Sequence, residues 1–226
     1  MKREQHAVRR DVTRGGLPDS GPEARRRQIL VAAEECFREK GFHGASITDI
    51  STLAGVSAGH IYYYFANKEE IIAAIAEAEL EALLEIHDSV RNERDVVEAI
   101  VRRSGDVALY YANPENARLR LEILAEGARN PRILALVRAL DLRARESAYK
   151  ILRLANGALD GEVLEKTISV QYEMISAIVS GFTARAVRGV EADKQLLRVS
   201  VMETVNHVLR TRVAPIEPAG NPCSIP

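Results

Sequence analysis

Two hundred and twenty-six residues, 46% of them hydrophobic and 28% charged, suffice for one or two domains with an apolar core. Aromatic residues are only 5%, tryptophan is absent, and glycine and proline are sparse, which favours helices over a sandwich or barrel built on turns and aromatic pairs. A net charge of -1, two cysteines and apolar runs far short of the roughly 18 residues of a membrane helix argue against a disulfide framework, a cysteine metal quartet and a membrane span.

Residues 1–21 carry Arg9, Arg10 and Arg14 among polar residues and are predicted to form a flexible basic arm without a secretory apolar region. Cytoplasmic residence follows as the expectation. Pro22 reads as a first-turn proline, with Ser20 and Glu23 spaced as a capping box, and Ile29, Leu30, Ala33, Cys36 and Phe37 then fall on one helical face until Gly41. After a choppy stretch, Asn67 caps a long helix. Further helices are predicted from Asp95 to Asn113, from Pro114 to Asn130, from Pro131 to Asn156-Gly157, from Asp160 or Gly161 to Gly189, and from Asp193 to about Arg212. The proline-rich residues 213–226 are predicted to be a disordered tail. The fold class is therefore all-α: about three short helices followed by a bundle of about six.

The most informative stretch runs from Ser46 to Phe65. Ile47, Ile50, Leu53 and Ala54 mark one buried face, Gly55 permits a left-handed bend, Val56 plugs the corner and Ser57 caps a second short helix. This is a helix-turn-helix. Ile61 and Phe65 then point to the core, leaving Ala58, Gly59, His60, Tyr62 and Tyr63 on the other faces, although Tyr62 also fits a core position. Gly55-Val56-Ser57-Ala58-Gly59 matches the nucleophile elbow of hydrolases as well. That elbow needs a preceding strand and a sheet, and the flanking residues are helix-periodic.

Phe37, Gly41, Ser46, Ile50, the Ala-Gly-Val-Ser run from Ala54, the Ile-Tyr-Tyr-Tyr-Phe run from Ile61, and Asn67-Lys68-Glu69 together resemble the DNA-binding domain of the TetR family of one-component transcriptional regulators. The stretch from Arg120 to Glu126 is similar to repressors of the AcrR and BetI kind. The resemblance implies a reading domain at 22–68, a ligand-binding and dimerisation domain at 69–212, and a homodimer formed through the last two helices. It implies double-stranded operator DNA as partner, a small-molecule effector, no cofactor and no membrane. Carried over by position, Ser57, Ala58, Gly59 and His60 would face the major groove, Thr48 would touch a base or phosphate, Tyr62, Tyr64 and Lys68 would grip phosphates on either side, and Ser46 and Tyr63 complete the candidate DNA-binding set. Charge agrees with this division, since residues 1–68 carry a net of +3 against -4 for the remainder. Arg25, Arg26 and Arg27 are further candidates for phosphate.

No catalytic or metal constellation is visible, because the five histidines are dispersed without an i, i+4 pair. Apolar stripes on the last two helices (Val163, Ile168, Met174, Ile175, Ile178, Phe182, then Leu196, Leu197, Val201, Met202, Val205, Leu209) are wide enough for both core and partner. Candidates to line an effector pocket are Leu83, His87, Tyr110, Tyr111, Leu119, Glu122, Ile123, Glu126, Tyr149, Tyr172, Met174 and Phe182, which combine apolar bodies with polar tips. Glu122 would meet a cationic ligand or else pair with Arg118 or Arg120. The expected function is a repressor that leaves a pseudo-palindromic operator when an apolar or amphipathic ligand binds. An activator or partner-controlled regulator, and more distantly a helical enzyme or scaffold, remain as alternatives.

Overall fold

The computed structural model describes residues 21–189 and 192–211. The predicted arm, the Ser20 cap and the predicted tail lie outside the described residues. Within them the chain forms α1 (Pro22–Gly44), α2 (Ile47–Ala54), α3 (Ala58–Tyr64), α4 (Lys68–Arg91), α5 (Val96–Tyr111), α6 (Pro114–Gly127), α7 (Pro131–Ala155), α8 (Gly161–Ala186) and α9 (Lys194–Arg210), and no strand.

The helix starts follow local chemistry. Side-chain oxygens of Ser57, Asn67, Asp95, Asn130 and Asp193 each accept a backbone N–H from the first turn that follows, at 3.2, 2.9, 2.9, 3.0 and 2.7 Å in that order. Proline occupies the first turn of α1, α6 and α7, where its missing N–H costs nothing. The N-cap of α1 is Gly21, which has no side chain to make a cap bond, and Pro22 follows it in the first turn. Gly41, at φ +71°, interrupts α1, and one further turn carries the chain to Gly44.

Two apolar clusters hold these helices together. The first joins Ile29, Phe37, Ile50, Ile61 and Phe65 of α1–α3 to Ile71, Ile72 and Ile75 of α4, Leu119 and Ile123 of α6 and Ile133 of α7. Fully burying one such side chain contributes about 1.5–3 kcal/mol, so the helix-turn-helix is bonded to the bundle by a core they share. The second cluster lies deeper in the bundle and contains Leu152, Ile168, Val201, Val205 and Leu209. Here α9 runs along α5 so closely at Gly105 that a Cβ there would stand 2.7 Å from Arg198 Cγ.

Burial divides the stripes predicted on the last two helices. Ile168, Val201, Val205 and Leu209 face inward, and Phe182 is half-buried against the second cluster, whereas Val163, Met174 and Leu196 face outward. Val205 thus cannot be a partner contact, because α5 has already claimed that side of α9. Leu53 is likewise 55% exposed rather than part of the α2 core face, which rests on Ile50 and Ala54.

Candidate DNA-reading face and effector cavity

The bend between α2 and α3 has the local cause its sequence specifies. Gly55 takes φ +63° and closes α2, Val56 packs partly into the first cluster, and Ser57 caps α3. Ile61 and Phe65 are buried, which turns Gly59, His60, Tyr62 and Tyr63 outward together with Ser57 and Thr48, while Ala58 is half-buried. Tyr62 is 54% and Tyr63 79% exposed, so neither is a core residue. His60, Tyr63 and Tyr64 form an aromatic cluster, the rings of Tyr63 and Tyr64 meeting edge to face at 5.1 Å. Tyr64 is half-buried and packs on the first cluster. Arg25 donates to Gln28 at 2.8 Å, and Arg26 lies over the Phe65 ring.

Two residues expected at the groove are committed elsewhere. The Ser46 hydroxyl accepts from the Asp49 N–H at 3.1 Å and donates to the Asp49 carboxylate at 2.7 Å, as the cap of α2. Asp49 also receives Lys40 at 2.7 Å, and these partners hold its carboxyl well below the usual range. Lys68 is turned away from solvent. Its ammonium donates to the carbonyls of Phe42 and Ala45 and lies 4.5 Å above the Phe42 ring, and burial lowers its pKa. The lysine clamps the corner between α1 and α2 onto the start of α4, so its ammonium is engaged by the backbone rather than presented at the exposed face.

The same corner is held from the other side by α6. Glu122 accepts the Phe42 N–H at 2.9 Å, and buried Glu126 lies 2.8 Å from His43 Nε2 and accepts an N–H of Asn130 at 3.3 Å. Glu122 pairs with neither Arg118 nor Arg120, and it does not line the cavity described below. Both carboxylates sit at the junction because residues two and six positions beyond Arg120 fall on a different side of α6 from it.

A cavity of about 360 Å³ runs through the bundle, walled by side chains from each of α4 to α9. Its wall follows α4 from Ala76 to Val90, a length of about 21 Å at 1.5 Å per residue. Leu80, Ile100, Val107, Ile175, Val179 and Val201 typify its apolar surface. Of the residues expected to line a pocket, Leu83, His87, Tyr111, Ile123 and Tyr172 do so. Leu119 belongs to the first cluster, Tyr110 packs edge to face on Tyr111 at 5.4 Å, Tyr149 supports Tyr172 from behind at 5.7 Å, Met174 faces outward, and Phe182 lies on the second cluster. His87 shares a hydrogen bond of 3.0 Å with Ser147, and burial pushes its pKa down to about 4, so the ring is neutral. Burial likewise raises the Tyr111 and Tyr172 phenols. Four charged wall residues, Glu79, Arg103, Arg120 and Asp141, were missed, since on amphipathic helices they read as solvated positions. Among the described residues no cluster could hold a metal ion, and no helix is long and apolar enough to cross a membrane.

Residues 29–75 match the family profile described as bacterial regulatory proteins, tetR family. The chain is 30% identical over 172 residues, 74% of its length, to the HTH-type transcriptional regulator UidR of Escherichia coli strain K12, of which that region covers 82%. The chain belongs to the TetR family. Its fold is similar to that of Salmonella enterica GusR, at a TM-score of 0.65 and 24% identity over 85% of this chain and 99% of that one. FadR of Bacillus subtilis, solved in complex with stearoyl-CoA, shares the fold at a TM-score of 0.65 and 22% identity over 79% and 96%. As a TetR-family protein the chain is a transcriptional regulator and not an enzyme, in a family whose members are generally DNA-binding repressors.

Proposed function

We propose that this TetR-family regulator is a homodimeric repressor that binds a pseudo-palindromic operator through Thr48, Ser57, Ala58, Gly59, His60, Tyr62 and Tyr63, and releases it when an apolar or amphipathic molecule fills the bundle cavity. Residues 22–68 act as the reading head and 69–212 as the effector and dimer part. One observation carries the reading: the exposed face of α2–α3 stands on α4 and α6, and those two helices also wall the cavity. A two-headed reader fits successive major grooves only when its recognition helices are about 34–36 Å apart, so a shift of either helix is enough to spoil the fit. The dimer is supported by the outward stripe of Val163, Val170 and Met174 on α8, beside Gly181, whose missing side chain leaves open space for a neighbouring helix.

The test begins with selection of bound sites from random DNA, followed by anisotropy titrations of the selected duplex. Tyr63→Ala should weaken binding to all sequences, and His60→Ala should alter base preference. Nile red, an uncharged apolar dye, should brighten on entering the cavity and lower operator affinity. Ala148→Trp, which fills the cavity from α7, should bind the operator without responding to the dye. A dye that brightens equally with both proteins, or a selection that yields no preferred site, would overturn the reading.

A further inference from the structure

The charges on the cavity wall are not evenly committed. Asp141 is exposed and pairs with Arg145 at 3.7 Å. Glu79 is itself engaged, and Glu122 and Glu126 are turned to the reading head. The two arginines of the wall differ. Among the described residues neither Arg103 nor Arg120 forms an ion pair with a carboxylate. Arg103 is exposed, where solvent screens its charge. Arg120 is half-buried, lies 4.4 Å over the Tyr111 ring and donates one N–H to the Tyr111 hydroxyl at 2.8 Å. A guanidinium offers five donors in a planar fork, so most of those on Arg120 lack an anionic partner beside an apolar surface. Such a fork matches a carboxylate in two parallel hydrogen bonds, and their strength grows where water is excluded.

We infer that the effector is an apolar molecule ending in a carboxylate, its body along the cavity and its anion received by Arg120 beside Tyr111. This rests on the cavity being the effector site. The placement also supplies a route to the reading head, because Glu122, two residues further along α6, holds the Phe42 N–H of the α1–α2 corner. A cationic effector has no carboxylate free to meet it here, and neutral His87 adds only a hydrogen bond.

Calorimetric titration with three probes of one chain length, decanoate, 1-decanol and decylamine, each below its micellar concentration, tests the inference. Decanoate should bind wild type at least tenfold more tightly than either of the others. Arg120→Gln should bring decanoate within about threefold of decanol while leaving decanol unchanged, and Arg120→Lys should retain part of the preference. Arg103→Gln should change decanoate binding by less than about threefold, a comparison that stands even if Arg120→Gln fails to fold. Decylamine or decanol binding as tightly as decanoate, no binding of decanoate, a preference that survives Arg120→Gln, or a tenfold loss in Arg103→Gln would each overturn it. Decanol that binds and releases the operator without any preference for decanoate would leave the effector cavity standing and remove only the anion.

Discussion

Gly41→Ala is the sharpest single perturbation of the corner that α4 and α6 grip. Gly41 sits at φ +71°, ψ 168°, a region open almost exclusively to glycine, and holding alanine there costs about 1–3 kcal/mol. The new Cβ would also stand 3.3 Å from Glu122 Oε2, so the carboxylate must retreat by a few tenths of an ångström. Retreat strains the Phe42 N–H bond, of a kind that contributes about 1.5–3 kcal/mol when one partner is charged. Together the expected loss is at most about 2.5–6 kcal/mol, or a fall in Tm of about 5–24 °C for a chain of this size. Thermal melts by circular dichroism of Gly41→Ala, Glu122→Ala and the double variant provide the measurement. If carboxylate and backbone share the penalty, the double variant should be more stable than the sum of the two losses predicts, because residues in contact do not add. A Tm within about 2 °C of wild type for Gly41→Ala, given the ~2–4 °C expected per kcal/mol, would refute the account of the corner.

Further outcomes follow from individual contacts. Lys68→Ala strands the Phe42 and Ala45 carbonyls and should cost about 1–3 kcal/mol of stability, while the salt dependence of operator binding, followed by anisotropy, keeps its slope; a slope flatter by about one would return Lys68 to the phosphates. The depressed His87 pKa makes stability pH-dependent: the unfolded ring takes a proton near pH 6.5 and the folded ring only near 4, so this contribution is complete above about 6.5 and is lost as pH falls to about 4. The loss is about 3 kcal/mol at 1.36 kcal/mol per unit, and urea melts at pH 7 and 4.5 should show it in wild type and not in His87→Gln. Asp49 acts in a separate window, since its lowered pKa adds stability above about 3.8 that disappears only in stronger acid. Met174→Arg, on the outward face of α8, should give folded monomers by light scattering, whereas Val205→Arg places a charge in the bundle interior and should abolish folding.

Helix starts were the most legible feature of the sequence, because a cap is a local event: Ser57, Asn67, Asp95 and Asn130 each need only the next turn to complete them. Gly55 was legible for the same reason. The inner face of a bundle helix was less so, since period 3.6 gives the angle between two residues but not which neighbour each will meet. Arg120 and Glu122 illustrate this, one lining the cavity and the other bonded to the α1–α2 corner. Lys68 failed differently, because nothing local announces that the carbonyls of Phe42 and Ala45, more than twenty residues earlier, will converge on its ammonium. The burial of Val205 was not legible either, because a stripe wide enough for core and partner does not say which half faces inward.

The apolar cluster that spans α1–α4, α6 and α7 limits how such a chain can be recombined. An exchange made at residue 68 would separate Ile29, Phe37 and Ile61 from Ile71, Ile75 and Leu119, and each uncovered side chain forfeits about 1.5–3 kcal/mol. A few such losses equal the whole net stability of an ordinary domain, about 5–15 kcal/mol. The helix-turn-helix can therefore be exchanged on this bundle only as a discontinuous unit, with the early turns of α4 and the Leu119–Ile123 strip of α6 travelling alongside it. Point changes on the exposed turn of α3 are free of that constraint, so the proposed reading face can be altered one side chain at a time at less cost to this fold.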